Sequence, residues 1–81
     1  MQFNKRLKSA SAAYIMGFSP DVKVVGTNDE INTFSEVLES SRVVYKLLQG
    51  NVTIDLISEA LADKSKKSIA FTKATGHQWP F

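Results

Sequence analysis

The sequence predicts an all-α protein, a compact bundle of about four helices with an extended connection at residues 18–26. Three observations carry this prediction. Apolar residues recur at helical spacing in four segments, residues able to cap a helix precede these segments, and glycines follow three of them. A chain of 81 residues has room for one hydrophobic core, so we expect a single domain over residues 1–81.

The first helix is expected over Lys5–Met16, with Asn4 as its N-cap. One apolar face is formed by Phe3, Leu7, Ala10 and Tyr14. Gly17 would end this helix in the left-handed conformation, and Pro20 prevents it from resuming at once. The valines of residues 21–26 then indicate an extended connection that dips into the core, because a lone strand there has no partner strand.

The second helix has the best local signal in the chain. Thr27 and Glu30 have the spacing of a capping box, and the helix is expected to run to about Gln49, where Gly50 stops it. Its apolar stripe, from Ile31 to Leu48, is unusually wide. Such width is typical of a central helix, or of one that also packs across a dimer, so self-association as a homodimer stays open.

The third helix is expected to start at Asn51 or Thr53 and to end at a break over Asp63–Ser65. The last residue of that break can cap a fourth helix, which Gly76 would end. The tail of residues 77–81 is not expected to be helical, since it contains a proline and follows the glycine stop.

Charge is zoned along the chain. Residues 1–20 carry three bases and no acid, residues 64–81 carry four bases and no acid, and all eight acids lie in residues 21–63. Such zoning fits two arrangements. Either the basic ends pack beside the acidic middle of the same chain, or a basic face meets an acidic partner. The sequence leaves both open.

The inventory of reactive side chains argues against an enzyme. The chain has no cysteine, which excludes disulfides, thiolate chemistry and cysteine-ligated metals. Its one histidine, His77, stands beside Gly76 and Trp79, where a packing or capping role is the commoner one. No glycine-rich phosphate motif and no apolar run long enough to span a bilayer is present. We therefore predict a protein that is not an enzyme and has no catalytic residue, cofactor, metal or transmembrane segment.

The candidate functional residues lie in the last quarter of the chain. Two large aromatic residues in the tail could anchor an interface or fill a small core, and the sequence leaves both roles open. The lysines before them could supply a basic surface. The predicted partner-binding residues are Trp79, Phe81, Lys64, Lys66, Lys67 and Lys73.

An alternative function is nucleic-acid binding through residues 53–74, which partly match a helix-turn-helix. The lysine-rich segment 64–75 would then contact phosphates. Two features count against it: Ala62 and Asp63 stand where a glycine and an apolar residue usually do, and residues 65–75 contain no arginine, asparagine or glutamine to read bases. A plain helix hairpin with a lysine-coated surface is the favoured interpretation.

Met1–Lys8 and Ala74–Phe81 resemble the ends of small accessory proteins of T-even-type phages. In size, lack of cysteine and lack of a membrane segment, the whole chain is similar to their lysis-inhibition accessory proteins, the cytoplasmic antiholins. The resemblance implies a protein of the host cytoplasm that binds the cytoplasmic part of a holin and delays lysis. From the residues themselves we predict a regulator that binds another protein and acts by stoichiometric occlusion. The resemblance assigns a role to no individual residue.

Overall fold

Three helices build the fold: α1 (Lys5–Ile15), α2 (Asn28–Gln49) and α3 (Ile54–Thr75). The computed structural model describes every residue from Met1 to Phe81. A four-residue loop joins α2 to α3 in an antiparallel hairpin, and α1 packs on α2 but not on α3. The structure contains no strand, which confirms the all-α class.

The ends of α1 follow the local sequence. The side chain of Asn4 accepts a hydrogen bond from the N–H of Leu7 at 3.0 Å, which is an N-cap. The helix ends at Ile15, one residue earlier than predicted. Gly17 has a φ of +104°, and the N–H groups of Gly17 and Phe18 both donate at 3.0 Å to carbonyl oxygens of the last turn. This closing motif needs a left-handed residue, which explains the glycine.

Residues 18–26 form neither helix nor strand, as the sequence predicts. Val22 and Val24 are half-buried and pack against the core, whereas Val25 is 71% exposed. Side chains of an extended chain alternate between two sides, so only every second residue of this connection reaches the core.

The capping box at the start of α2 is confirmed. The N–H of Glu30 donates to the hydroxyl of Thr27 at 3.2 Å, and the N–H of Thr27 donates to a carboxylate oxygen of Glu30 at 2.8 Å. The second carboxylate oxygen of Glu30 accepts from the amino group of Met1 at 2.7 Å. One side chain thereby joins the start of α2 to the segment before α1.

The prediction of a break at Asp63–Ser65 and of a fourth helix is wrong, because α3 continues through these residues. None of the three is a glycine or a proline, so the backbone is free to remain helical. Asp63 accepts a hydrogen bond from the hydroxyl of Ser40 at 2.7 Å, and Lys64 donates to the carbonyl oxygen of Phe81. Their polar groups are therefore used between segments and not for capping.

The core sits at one end of the hairpin. It consists of Phe3, Leu7, Ile15, Phe34, Val37, Phe71 and Trp79. With a rise of about 1.5 Å per residue, α1 is about 17 Å long and the hairpin helices are about 33 Å long. Consequently α1 and the tail cover only about half of the hairpin, and no residue from 45 to 70 is fully buried.

Candidate functional site

Trp79 is part of the core. The chain turns back after Gly76, whose φ of +75° lets it cap α3 in the left-handed conformation. The Trp79 ring then packs against Phe3, Phe34 and Phe71, with ring centroids 5.3 to 6.0 Å apart. Only 9% of Trp79 is exposed. The structure thus places this residue in the core, which is the second of the two roles that the sequence left open.

Phe81 is the tail aromatic with an accessible surface. It is 38% exposed, and its ring meets that of Trp79 edge to face with centroids 5.3 Å apart. The hydrogen bond from Lys64 to its carbonyl oxygen ties the tail to α3. Phe81 is therefore held in place and still available for contact, while its role in partner binding stays a prediction.

The four predicted lysines do not form one patch. Phe71 marks the buried side of α3, and Lys64 and Lys67 lie within about 40° of it around the helix. Lys64 contacts the tail, and Lys67 lines a groove between α2 and α3. Lys66 and Lys73 lie about 140° and 160° from Phe71 and are exposed on the outer side. With Ile69, which is 56% exposed between them, they form what we call the basic patch (Lys66, Ile69 and Lys73).

The groove beside Lys67 has a volume of about 290 Å³, and most of the residues that line it have polar or charged side chains. Its lining consists of Glu36, Glu39, Ser40, Val43, Ala60, Asp63 and Lys67. Two of its carboxylates already accept hydrogen bonds, Glu39 from the hydroxyl of Tyr14 at 2.6 Å and Asp63 from Ser40 at 2.7 Å. The first contact joins α1 to α2 and the second joins α2 to α3, so both carboxylates stabilise the packing of the helices.

The charge zones are not paired within the chain. The one ion pair joins the amino group of Met1 to Glu30, and no lysine or arginine side chain pairs with a carboxylate. Arg42 instead lies over the ring of Tyr14, with its guanidinium carbon 4.8 Å from the ring centroid. The lysine and arginine side chains therefore neutralise no carboxylate of the same chain through an ion pair.

Glu30 is the one carboxyl group whose protonation the fold clearly changes. The hydrogen bond from the amino group of Met1, followed by that from the N–H of Thr27, holds the pKa of Glu30 below its ordinary value of 4.5. Both donors favour the charged carboxylate. Glu30 is thus a structural anion that fixes the start of α2.

Exposed large apolar side chains concentrate on the uncovered half of the hairpin. Those between residues 43 and 69 are Val43, Leu48, Ile54, Leu56, Leu61 and Ile69. Three of them, Ile54, Leu61 and Ile69, lie about 80° to 160° from Phe71 and are 78%, 45% and 56% exposed. With small exposed residues between them they form what we call the outer stripe: Ile54, Ser58, Leu61, Ala62, Ser65 and Ile69.

The outer stripe was missed at the level of sequence because of the expected break in α3. A break resets the helical phase, so a sequence with the expected break gives no relation between the side of Ile54 and Leu61 and the side of Ile69. Continuing the 100° step through residues 62–65 would have placed all three on the side away from Phe71. The spacing of these three apolar residues is therefore visible in the sequence, but it places them on one side only if the helix is continuous.

Two cavities lie near α1. One, of about 580 Å³, lies between the start of the chain and residues 22–26, and the other, of about 200 Å³, lies between α1, the connection and α2. Neither is lined by a histidine or a carboxylate. His77 lies elsewhere, with Nε2 3.3 Å from the carbonyl oxygen of Met1 and its ring against Phe3. No cluster of three or more histidine, aspartate or glutamate residues is arranged to hold a metal.

Comparison of the chain with protein-family models, with curated proteins and with solved structures finds no match. None of the three helices combines the length and the hydropathy that a membrane crossing requires.

Proposed function

We propose that this protein is a non-enzymatic regulator that binds a partner protein stoichiometrically and occludes it. The observation that carries the proposal is the unpaired charge zoning. Lysines that form no ion pair within their own chain lie beside exposed apolar residues of the same helix. Exposed apolar side chains with charged side chains next to them are typical of a surface that binds another macromolecule.

The basic patch is the best candidate for the partner-binding surface. Lys66 and Lys73 flank Ile69 on two successive turns, and residues 64–81 contain no acid to compete for them. An acidic amphipathic segment fits this arrangement, since its apolar side chains can contact Ile69 while its carboxylates meet the two ammonium groups. Trp79 contributes through the core and not by contact, while Phe81 adds an exposed ring on another side of α3.

The candidate partner comes from the resemblance to lysis-inhibition accessory proteins. On that hypothesis the partner is the cytoplasmic part of a holin, and binding delays lysis by keeping holin subunits from assembling. The chain would then act in the host cytoplasm, one copy for each holin segment.

Titration calorimetry with the purified cytoplasmic segment of a T-even-type holin tests this proposal. We expect saturable binding, and about tenfold weaker binding after Lys73→Glu, because the substitution places an acid opposite the acidic partner. Lys23→Glu is the matched control, since Lys23 is exposed in the connection far from α3 in sequence. Absence of saturable binding by the native chain would overturn the holin as partner, and equal affinity of the Lys73→Glu variant would overturn the surface.

The nucleic-acid alternative has lost its structural basis in a helix-turn-helix, because residues 54–75 form one helix without a turn. Exposed lysines on that helix are still able to contact phosphates. Titration of the chain with duplex DNA at low salt tests this directly. DNA binding that Lys66→Glu and Lys73→Glu abolish, together with absence of holin binding, would favour the alternative.

A further inference from the structure

The outer stripe of α3 is symmetric along the helix. In order it contains Ile54, Ser58, Leu61, Ala62, Ser65 and Ile69, all exposed. The first and last residues are both isoleucine, the second and fifth are both serine, and the two central residues are both apolar. The order of residues in the stripe is therefore nearly the same in both directions from the peptide bond between Leu61 and Ala62. A surface with this property can pack against a second copy of itself through a two-fold axis.

The charges of α3 change sign two residues after this centre, between Asp63 and Lys64. Acids precede this change and lysines follow it, in the order Asp55, Glu59, Asp63, Lys64, Lys66, Lys67 and Lys73. In an antiparallel pair of α3 helices, the acidic half of each copy meets the basic half of the other. A parallel pair would place like charges together, so the charge distribution selects the antiparallel arrangement.

Helix geometry assigns specific charge contacts to this arrangement. With the two-fold axis at the Leu61–Ala62 bond, Lys66 lies opposite position 57 of the second copy, between Asp55 and Glu59. These three side chains lie on the same edge of the outer stripe, about 70° to 110° from its centre. In an antiparallel pair each edge faces the identical edge of the second helix, so the contact forms twice.

The centre of the stripe is suited to close approach. Ser58, Ala62 and Ser65 are small, and helix axes come as near as about 8 Å where the contacting side chains are small. The isoleucines at both ends then cover apolar surface that is otherwise in water, Ile54 being 78% exposed.

We propose that two copies of this chain associate through the outer stripe of α3, antiparallel about the Leu61–Ala62 bond, with Lys66 of each copy between Asp55 and Glu59 of the other. The second copy is the occupant because the residues of the stripe are symmetric about its centre and the two halves of α3 carry opposite charges. This association does not depend on the proposed function. It covers Lys66 and Ile69, so a dimer withdraws the basic patch from any partner that uses it.

Sedimentation equilibrium over a range of concentrations tests the association. We expect reversible dimerisation of the native chain. Lys66→Glu and Glu59→Lys are each expected to weaken it about tenfold, since each converts two symmetric attractions into repulsions. Asp55 is left unchanged because it stabilises the first turn of α3. Mixing the two variants, one of them fluorescently labelled, should restore part of the association, because the acid introduced at position 66 then faces the base introduced at position 59, while Asp55 stays beside it.

A pair of apolar variants tests the stripe itself. Leu61→Glu places charge at the two-fold axis and should abolish dimerisation. Val43→Glu is the matched control, since Val43 is 43% exposed, against 45% for Leu61, and lies in the groove on another side. Circular dichroism confirms that each variant is folded.

A native chain that stays monomeric at its highest soluble concentration would overturn the proposal. So would a Leu61→Glu variant that dimerises like the native chain, or a variant mixture that associates no better than its components. Partner binding is measured separately through Lys73→Glu, because Lys73 lies opposite position 50, outside the helix pair. Failure of the dimer and failure of the proposed function therefore give different results.

Discussion

The indole N–H of Trp79 donates a hydrogen bond of 2.8 Å to the hydroxyl of Ser41, and both residues are buried. The Ser41 hydroxyl in turn donates to the carbonyl oxygen of Val37 at 2.8 Å. The polar atom of the largest core side chain is thereby satisfied by a residue in the middle of α2. This single contact explains how a tryptophan is buried in so small a core, and it gives the first prediction.

Replacing Ser41 with alanine is expected to lower the free energy of unfolding by about 1–3 kcal/mol, because it leaves the buried indole N–H without an acceptor. Urea unfolding followed by the fluorescence of the single tryptophan measures this. Ser11→Ala is the control: Ser11 is equally buried, but its hydroxyl bonds only to the carbonyl of Leu7 in its own helix. An equal decrease in the free energy of unfolding of both variants would show that the hydrogen bond from Trp79 to Ser41 adds nothing to stability.

The two tail aromatics are expected to respond differently to truncation. Trp79→Ala removes a side chain that contacts three other core rings and should cost about 3–5 kcal/mol, a large part of the stability of a small domain. Phe81→Ala removes a ring with 38% exposure and should cost about 1 kcal/mol. Thermal unfolding followed by circular dichroism distinguishes them. Similar melting temperatures for the two variants would contradict the placement of Trp79 in the core.

Proline substitution tests the continuity of α3. Lys66 would be the first residue of a separate fourth helix, a position where proline is favoured, but in one continuous helix it is interior. We expect Lys66→Pro to cost about 3 kcal/mol or more. Ile54→Pro, at the true first position of α3, should be tolerated. Helical content and urea unfolding of both variants give the answer, and a stable Lys66→Pro variant would restore the four-helix interpretation.

Glu30 gives the chain a pH-dependent contribution to stability. Its pKa is lower in the folded chain than its ordinary value of 4.5, so the unfolded state binds the proton more readily. The stabilisation is therefore fully present above the ordinary pKa and is lost as the pH falls through the folded pKa. Glu30→Gln should be less stable than the native chain at neutral pH, and the difference should shrink as the pH falls below 4.5. Urea unfolding at several pH values measures it, and a difference that does not depend on pH would contradict the assignment.

Local signals predicted most of the backbone correctly. The cap at Asn4, the capping box of Thr27 and Glu30, and the glycine stops after α1 and α3 all involve residues within a few positions of each other. The break at Asp63–Ser65 was predicted wrongly because the contacts that occupy Asp63 and Lys64 come from Ser40 and Phe81. Partners so distant in sequence leave no local pattern.

The candidate surface was harder to predict than the helices. The sequence indicated Lys64, Lys66, Lys67 and Lys73 as a group, but their directions around α3 depend on where the tail and α2 pack. The same holds for Trp79, since burial of its ring is decided by Phe3 and Phe34 at the far end of the chain. The sequence therefore indicated which residues are candidates for binding, but the tertiary structure was needed to show which of them lie together on one surface.

The four core rings come from four different parts of the chain: Phe3 before α1, Phe34 in α2, Phe71 in α3 and Trp79 in the tail. The tail therefore completes a ring cluster that the other three parts leave open. A chain without Trp79 exposes Phe3, Phe34 and Phe71 to water, which favours transient, loosely packed states. Folding of this core is therefore expected to be one cooperative step in which all four parts of the chain take their places together.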